Sequence, residues 1–262
     1  MSTSEKEKYN SLDKVKHNLI RESMKLISND WHAIEIATLA DIPGRGTGLG
    51  SSASVTVGTL HALGLYKGEH FGARELAEKA CHIEIDILGY PSGVQDQFLA
   101  AFGGARYIEY GNEINVSENL NPHDLMDYLL ILYTGKTRNS YSILSPFVAS
   151  IEDKVPILKQ VTSIAKKGYE AFKNQDWELF GYLLDKSWDL KKRFSNASNS
   201  YIDYCHSEAK SLGAWGGKIL GAGQGGFLLF CVPKEKQASI TNKLGMRQLE
   251  CNFSFVGSKK LL

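Results

Sequence analysis

The chain has 262 residues, 43% hydrophobic and 23% charged, which is the make-up of an ordinary globular protein with room for one large or two smaller folded units. A formal charge of +1 offers no global attraction to nucleic acid or an anionic membrane, so a polyanionic partner must be met by a local site. Cys81, Cys205, Cys231 and Cys251 lie far apart with no C-x-x-C spacing and read as reduced thiols. No apolar run approaches the ~20 residues of a membrane span, and the charged start has no apolar segment behind it. A cytoplasmic protein with no membrane or nucleic-acid partner is expected.

In chain order, Leu12, Val15, Leu19, Leu26 and Ile27 recur at helical spacing among charged residues and predict an amphipathic helix. Ala33 to Leu39 reads as a strand running into glycines at 44, 46, 48 and 50, and Ser51 to Leu65 as a buried helix with Gly64 near its end. A helix is predicted over Ala73 to Leu88, followed by the turn Gly89-Tyr-Pro-Ser-Gly93 and a short helix from about Asp96 through Ala101. Ala105 to Tyr110 and Glu113 to Val116 read as a hairpin around Gly111-Asn112, and Tyr128 to Tyr133 as a buried strand. The pattern is helical from Ser140 to Gly213, with breaks near Asn174 and at 196–199. Strands are expected at Lys218 to Leu220, Phe227 to Val232 and Leu249 to Phe255. A boundary near Asn119 to Asp124 divides the chain into lobes 1–120 and 121–262. No internal repeat or low-complexity segment is present.

The strongest chemical signal is Pro43-Gly-Arg-Gly-Thr-Gly-Leu-Gly-Ser-Ser-Ala53, a glycine-rich turn between a strand and a helix start. Glycines let several backbone amides converge on one anion, and the first helical turn adds positive potential. It is not G-x-x-x-x-G-K-[ST], because no Lys-Ser/Thr pair follows. Gly48-Leu-Gly50-Ser-Ser-Ala53 fits a dinucleotide fingerprint, but of the acidic residues that follow, Glu69 comes too early, Glu75 and Glu78 fall within a helical pattern, and no second βαβ unit is evident.

This turn resembles the phosphate-binding motif P-x-x-x-G-L-G-S-S-A of the GHMP kinases. Glu84 to Gln97 resembles the family's acidic segment, and Gly221-Ala-Gly-Gln-Gly-Gly226 its C-terminal glycine motif. The resemblance implies an α+β two-lobe fold, with an incomplete N-terminal lobe like ribosomal protein S5 domain 2 and a ferredoxin-like C-terminal lobe. It also implies ATP and Mg²⁺ as cofactors. On the matching positions it gives Pro43, Gly46, Gly48, Leu49, Gly50, Ser51, Ser52 and Ala53 to the nucleotide. Ser52 and Glu84 go to the metal, and Asp96 accepts the proton of the attacking hydroxyl or orients it. Taken singly, Ser52 or Asp96 could cap a helix and Glu84 could lie on a solvated face.

The similarity is strongest to the branch of the family that phosphorylates the anomeric hydroxyl of a D-glycero-D-manno-heptose 7-phosphate. That places Thr134, Thr137, Arg138 and Gly223 near a sugar or sugar-phosphate acceptor, with Arg138 able to fork onto a phosphate. Lys218 could also reach an anion, though a lysine there is commonly solvated. Gly221 to Gly226 could equally serve close backbone packing. Family members begin with ~60–70 further residues carrying the first strands and an acceptor loop, so the chain is expected to start after them. A catalytically impaired or non-catalytic homologue or fragment is the competing expectation, and a homodimer is possible.

Overall fold

The computed structural model describes residues 6–42, 46–138, 140–149 and 151–261. Its contacts divide the chain into two units. The first comprises the stretch ending at Asp41, Gly50–Gly104 and the segment from Phe255 onward; the second comprises Ile42–Leu49 and Ala105–Ser254.

In the first unit a 3₁₀ turn at Leu12–Lys14 precedes α1 (Asn18–Ile27). The single opening helix expected from Leu12 is therefore broken at 15–17. There the His17 ring accepts from the Ile20 amide and begins α1 anew. The central helix is α2 (Ser51–Lys67), packed on α1, α3 (Ala73–Cys81) and α4 (Gln95–Phe102). Ala53, Val57 and Leu60 of α2, Leu76, Ala77 and Ala80 of α3, and Phe98 of α4 are all buried, so apolar burial on several sides holds α2 in place.

The helix expected to run to Leu88 changes character at Cys81. Residues His82–Ile87 form a π-helical stretch, with the Leu88 amide bonded to the Ile83 carbonyl. Such widened turns recur at functional sites.

The expected strand at 33–39 is absent: the segment is irregular and Leu39 is 98% exposed. A strand needs a neighbouring ladder to satisfy its amides, and among the described residues the first unit contains no strand to offer one. The C-terminal segment returns to this unit. The Ser258 amide donates to the Ala100 carbonyl at 3.1 Å, and His61 Nδ1 and Ser258 Oγ are hydrogen-bonded at 2.8 Å.

The second unit opens with the hairpin β1 (Ile108–Tyr110) and β2 (Ile114–Val116), then a short α5 (Leu125–Tyr128). The apolar run Leu129-Leu-Ile-Leu-Tyr133 becomes β3, one of the two inner strands of a four-stranded antiparallel sheet. The sheet order is β4 (Gly216–Ile219), β5 (Phe227–Cys231), β3, β6 (Arg247–Gln248). Leu130 opposes Phe230 and Leu132 opposes Leu228, and these four join Trp188, Ile202, Cys205 and Ile240 in the main core. The alternate residue Leu129 packs with Trp177, Phe172 and Phe180, so the strand is apolar on both faces.

The long helical stretch resolves into α6 (Ser140–Ala149), α7 (Val155–Lys173), α8 (Trp177–Phe194) and α9 (Ser200–Ser211). The two expected breaks fall at cap residues: Asp176 accepts from the Leu179 amide and Asn199 from the Ile202 amide, each at 3.0 Å. A third break, not expected from the sequence, separates α6 from α7, where Glu152–Lys154 form a 3₁₀ turn.

Two details of the strand pattern differ from expectation. The last strand is only Arg247–Gln248, continued by one hydrogen bond from the Leu249 amide to the Ile131 carbonyl, because the chain then leaves the sheet. A further helix, α10 (Lys234–Leu244), lies between β5 and β6, where its sequence shows no apolar stripe. It buries Ile240 alone and ends on Gly245 in the left-handed region. Near the sheet, Asp185 of α8 is 8% exposed and receives His206 Nε2 at 2.9 Å and Lys210 Nζ at 2.8 Å. Among the described residues no helix is long and apolar enough to cross a membrane.

Candidate functional site

In the first unit Gly50, with φ of 69°, is the N-cap of α2. Glycine takes this left-handed conformation without a Cβ penalty and brings no side chain to cover the positive end of the helix. Ser52, in the first turn, turns its hydroxyl inward to donate to Glu84 Oε2 at 2.5 Å. Glu84 sits on the π-helical stretch and is 2% exposed. Burial pushes its carboxyl above the usual carboxylate range. Polar groups of Ser52, Thr56 and Gln97 pull it back, and the charge of Asp96 adds to the rise.

Asp96 occupies the first turn of α4. A Cβ built on Gly50 would lie 3.7 Å from its Cγ and 3.8 Å from Oδ2, so the carboxyl faces the α2 N-cap. Burial raises its proton affinity as well, opposed by the Gln95 amide at 3.3 Å. A carboxylate shifted upward is a stronger proton acceptor.

These donors suit a magnesium ion. Mg²⁺ takes hard oxygens, commonly one or two carboxylates plus ligand phosphates and waters. Glu84 Oε1 is buried with no hydrogen-bond partner among the described residues, and the Ser52 hydroxyl lies on its twin oxygen. Among the described residues no group of three or more His, Cys, Asp or Glu side chains could hold a metal unaided. Remaining ligands would have to come from a bound phosphate.

In the second unit the 46–48 segment runs against two loops. The Arg138 amide donates to the Gly46 carbonyl at 3.4 Å, and Thr47 is 1% exposed. Gly48 has φ of 80°, and a Cβ there would lie 2.6 Å from the Leu220 carbonyl oxygen, so only glycine fits. Thr134 donates from its hydroxyl to the Gly226 carbonyl at 2.8 Å, and the Gly226 amide donates to the Lys136 carbonyl at 2.8 Å. Arg138 Nε donates to the Gly223 carbonyl, and Lys191 Nζ of α8 donates to the Gly221 carbonyl at 2.5 Å. Burial, then the charges of Lys218 and Arg138, take the Lys191 ammonium down to about 7. Burial likewise lowers Lys218 on β4 and Arg138.

The residues singled out from sequence thus fall into two groups. Gly50, Ser51, Ser52, Ala53, Glu84 and Asp96 come together in the first unit. Gly46, Gly48, Leu49, Thr134, Thr137, Arg138 and Gly223 lie in the second. Pro43 lies outside the described residues. Thr134 is tied to the loop backbone, and Arg138 already spends its Nε on Gly223. Lys191 was not foreseen: it belongs to a Lys191-Lys192-Arg193 run at a helix end, which in sequence looks like a solvated face.

Two family models match the chain. Residues 18–104 match the GHMP kinases N terminal domain and residues 169–247 the GHMP kinases C terminal domain. Over 227 residues the chain is 30% identical to the D-glycero-alpha-D-manno-heptose 7-phosphate kinase of Campylobacter jejuni, covering 82% of this chain and 66% of that one. It is 29% identical over 208 residues to the mevalonate kinase of Methanothermobacter thermautotrophicus, with coverage of 78% and 66%. A solved D-glycero-D-manno-heptose 1-phosphate kinase from Bacteroides thetaiotaomicron superposes with a TM-score of 0.64 at 24% identity, over 83% of this chain and 64% of that one. The chain therefore spans slightly under two thirds of the length of these relatives.

Proposed function

The chain belongs to the GHMP kinase family, and on that premise we propose that it transfers the γ-phosphate of ATP to a hydroxyl of a small molecule, with the anomeric hydroxyl of a heptose 7-phosphate as preferred acceptor. Residues 1–120 would serve as the nucleotide lobe and 121–262 as the C-terminal lobe. The observation that carries this reading is the meeting of Gly50, Ser52, Glu84 and Asp96 at the start of α2. A glycine-capped helix N-terminus, a hydroxyl on a buried carboxylate, and a second carboxylate facing the cap are what phosphoryl transfer requires for positioning and charge.

In this proposal the backbone at Pro43, Gly46, Gly48, Leu49, Gly50, Ser51, Ser52 and Ala53 holds the nucleotide phosphates. Ser52 and Glu84 hold Mg²⁺, which supplies neutralisation of phosphate charge. Asp96 accepts the proton of the acceptor hydroxyl or fixes its direction, and its burial-raised proton affinity suits either task. Thr134, Thr137, Arg138 and Gly223 border the acceptor, Thr134 by shaping the loop and Arg138 by its positive charge beside the Gly223 carbonyl.

A mevalonate acceptor is the second reading, favoured by the almost equal identity to a mevalonate kinase. Coupled assays of ADP release with heptose 7-phosphate, hexose phosphates, fucose and mevalonate decide between them. The proposal expects turnover with a sugar phosphate and none with mevalonate. Mg-ATP raising the melting temperature without transfer to any of these acceptors would mark a binding protein instead.

A further inference from the structure

Two cations from separate elements bond the Gly221–Gly223 turn, Lys191 of α8 and Arg138 of the loop after β3, and a third, Lys218 of β4, is near enough for its charge to act on Lys191. Lys191 bonds the Gly221 carbonyl and Arg138 the Gly223 carbonyl two residues on. A Cβ on Gly221 would lie 2.8 Å from Arg138 Nη2, so the guanidinium lies against this turn. A carbonyl accepts a hydrogen bond but cancels no charge, and the charges acting on Lys191 are those of Lys218 and Arg138, both positive. Gathering like charges at a partly buried place is unfavourable unless an anion completes it.

A purely structural clamp accounts for the Lys191 bond alone. It gives no reason for Lys218 to stand three residues before the same turn, where burial works against its charge. An ammonium has three donors, of which Lys191 spends one on Gly221.

We propose that Lys191 and Lys218, together with Arg138, form a site for a phosphate monoester dianion at the Gly221–Gly223 turn. Two ammonium point charges and a guanidinium match the two negative charges and several acceptor oxygens of such a group. The phosphate could come from a phosphorylated acceptor or from a nucleotide. The assignment to the acceptor rests on the kinase reading above.

Isothermal titration of the full chain with a hexose 6-phosphate, the matching hexose, and ADP with Mg²⁺ separates these sources. The wild type should bind the hexose 6-phosphate at least ~10-fold more tightly than the hexose, about 1.4 kcal/mol. Lys191→Met and Lys218→Met should each remove most of that preference and change hexose and ADP binding less than ~2-fold. Lys191→Arg, which keeps the charge, should retain it and so separates lost recognition from misfolding. Equal binding of hexose and hexose 6-phosphate by the wild type would overturn the site, as would Met variants that keep the preference. Loss of ADP binding instead would overturn its assignment to the acceptor. Absence of phosphate transfer with the hexose 6-phosphate preference intact would contradict the kinase reading and leave the anion site standing.

Discussion

The cluster at the start of α2 and the cluster at the Gly221–Gly223 turn are opposites in charge and alike in physics. The first gathers two carboxyls, Glu84 and Asp96, and burial raises the proton affinity of both. The second gathers Lys191, Lys218 and Arg138, and burial lowers all three. In each, like charges are kept together in a place that disfavours charge, so every member moves toward neutrality. Asp185 shows the contrary case. Burial would raise it too, but hydrogen bonds and charges from His206 and Lys210 outweigh burial and hold it below the usual range. A balanced ionic cluster stabilises the fold around it, whereas an unbalanced one leaves room for an outside charge. A metal suits the carboxyls and a phosphate suits the cations.

The sharpest way to break this contrast is Asp96→Asn, which keeps the shape and removes the carboxylate proposed to accept the hydroxyl proton or orient it. Turnover should fall about 10³-fold while ATP affinity stays within ~2-fold, as read by steady-state kinetics and titration. Unchanged turnover would end the role given to Asp96.

Next in size is Asp185→Asn. Stranding His206 and Lys210 should cost about 3 kcal/mol in urea unfolding. Because the folded Asp185 carboxyl titrates below its unfolded value, its contribution is present above about pH 4 and lost as pH falls through the lower folded value. The variant should flatten that acid limb. Gly48→Ala should destabilise by about 2 kcal/mol, since the new methyl meets the Leu220 carbonyl at a positive φ.

Glu84→Gln should behave in the opposite way to Asp185→Asn. Removing a charge that burial disfavours should leave the melting temperature unchanged or raise it, since an amide can still accept from Ser52. A loss of stability as large as that of Asp185→Asn would place the two clusters in one class. The smallest effect belongs to Lys191→Met. With the folded ammonium near 7, the wild type gains stability as pH rises from about 7 toward the ordinary lysine range, and the variant should lack that slope.

Much of this was legible in the sequence because glycine spacing, helix caps and apolar runs are local signals. Gly50 and the Ser52 helix start, β3, and the breaks at Asp176 and Asn199 all follow from residues close in the chain. What misled was non-local. Ala33 to Leu39 has a strand's composition, but strand identity is conferred by a partner. The change at Cys81 to a π-helical stretch depends on packing, and α10 carries too few apolar residues to announce itself. Lys191 lay hidden in a basic run because its meaning comes from Gly221, Lys218 and Arg138, all distant in sequence.

The most direct measurement is titration of the wild type and Glu84→Gln with ATP, with and without Mg²⁺. If Ser52 and Glu84 hold the metal beside a nucleotide phosphate, the wild type binds ATP at least ~10-fold more tightly with Mg²⁺ and Glu84→Gln loses that gain. Equal affinity of the wild type for ATP in both conditions would contradict a metal-nucleotide site at the start of α2.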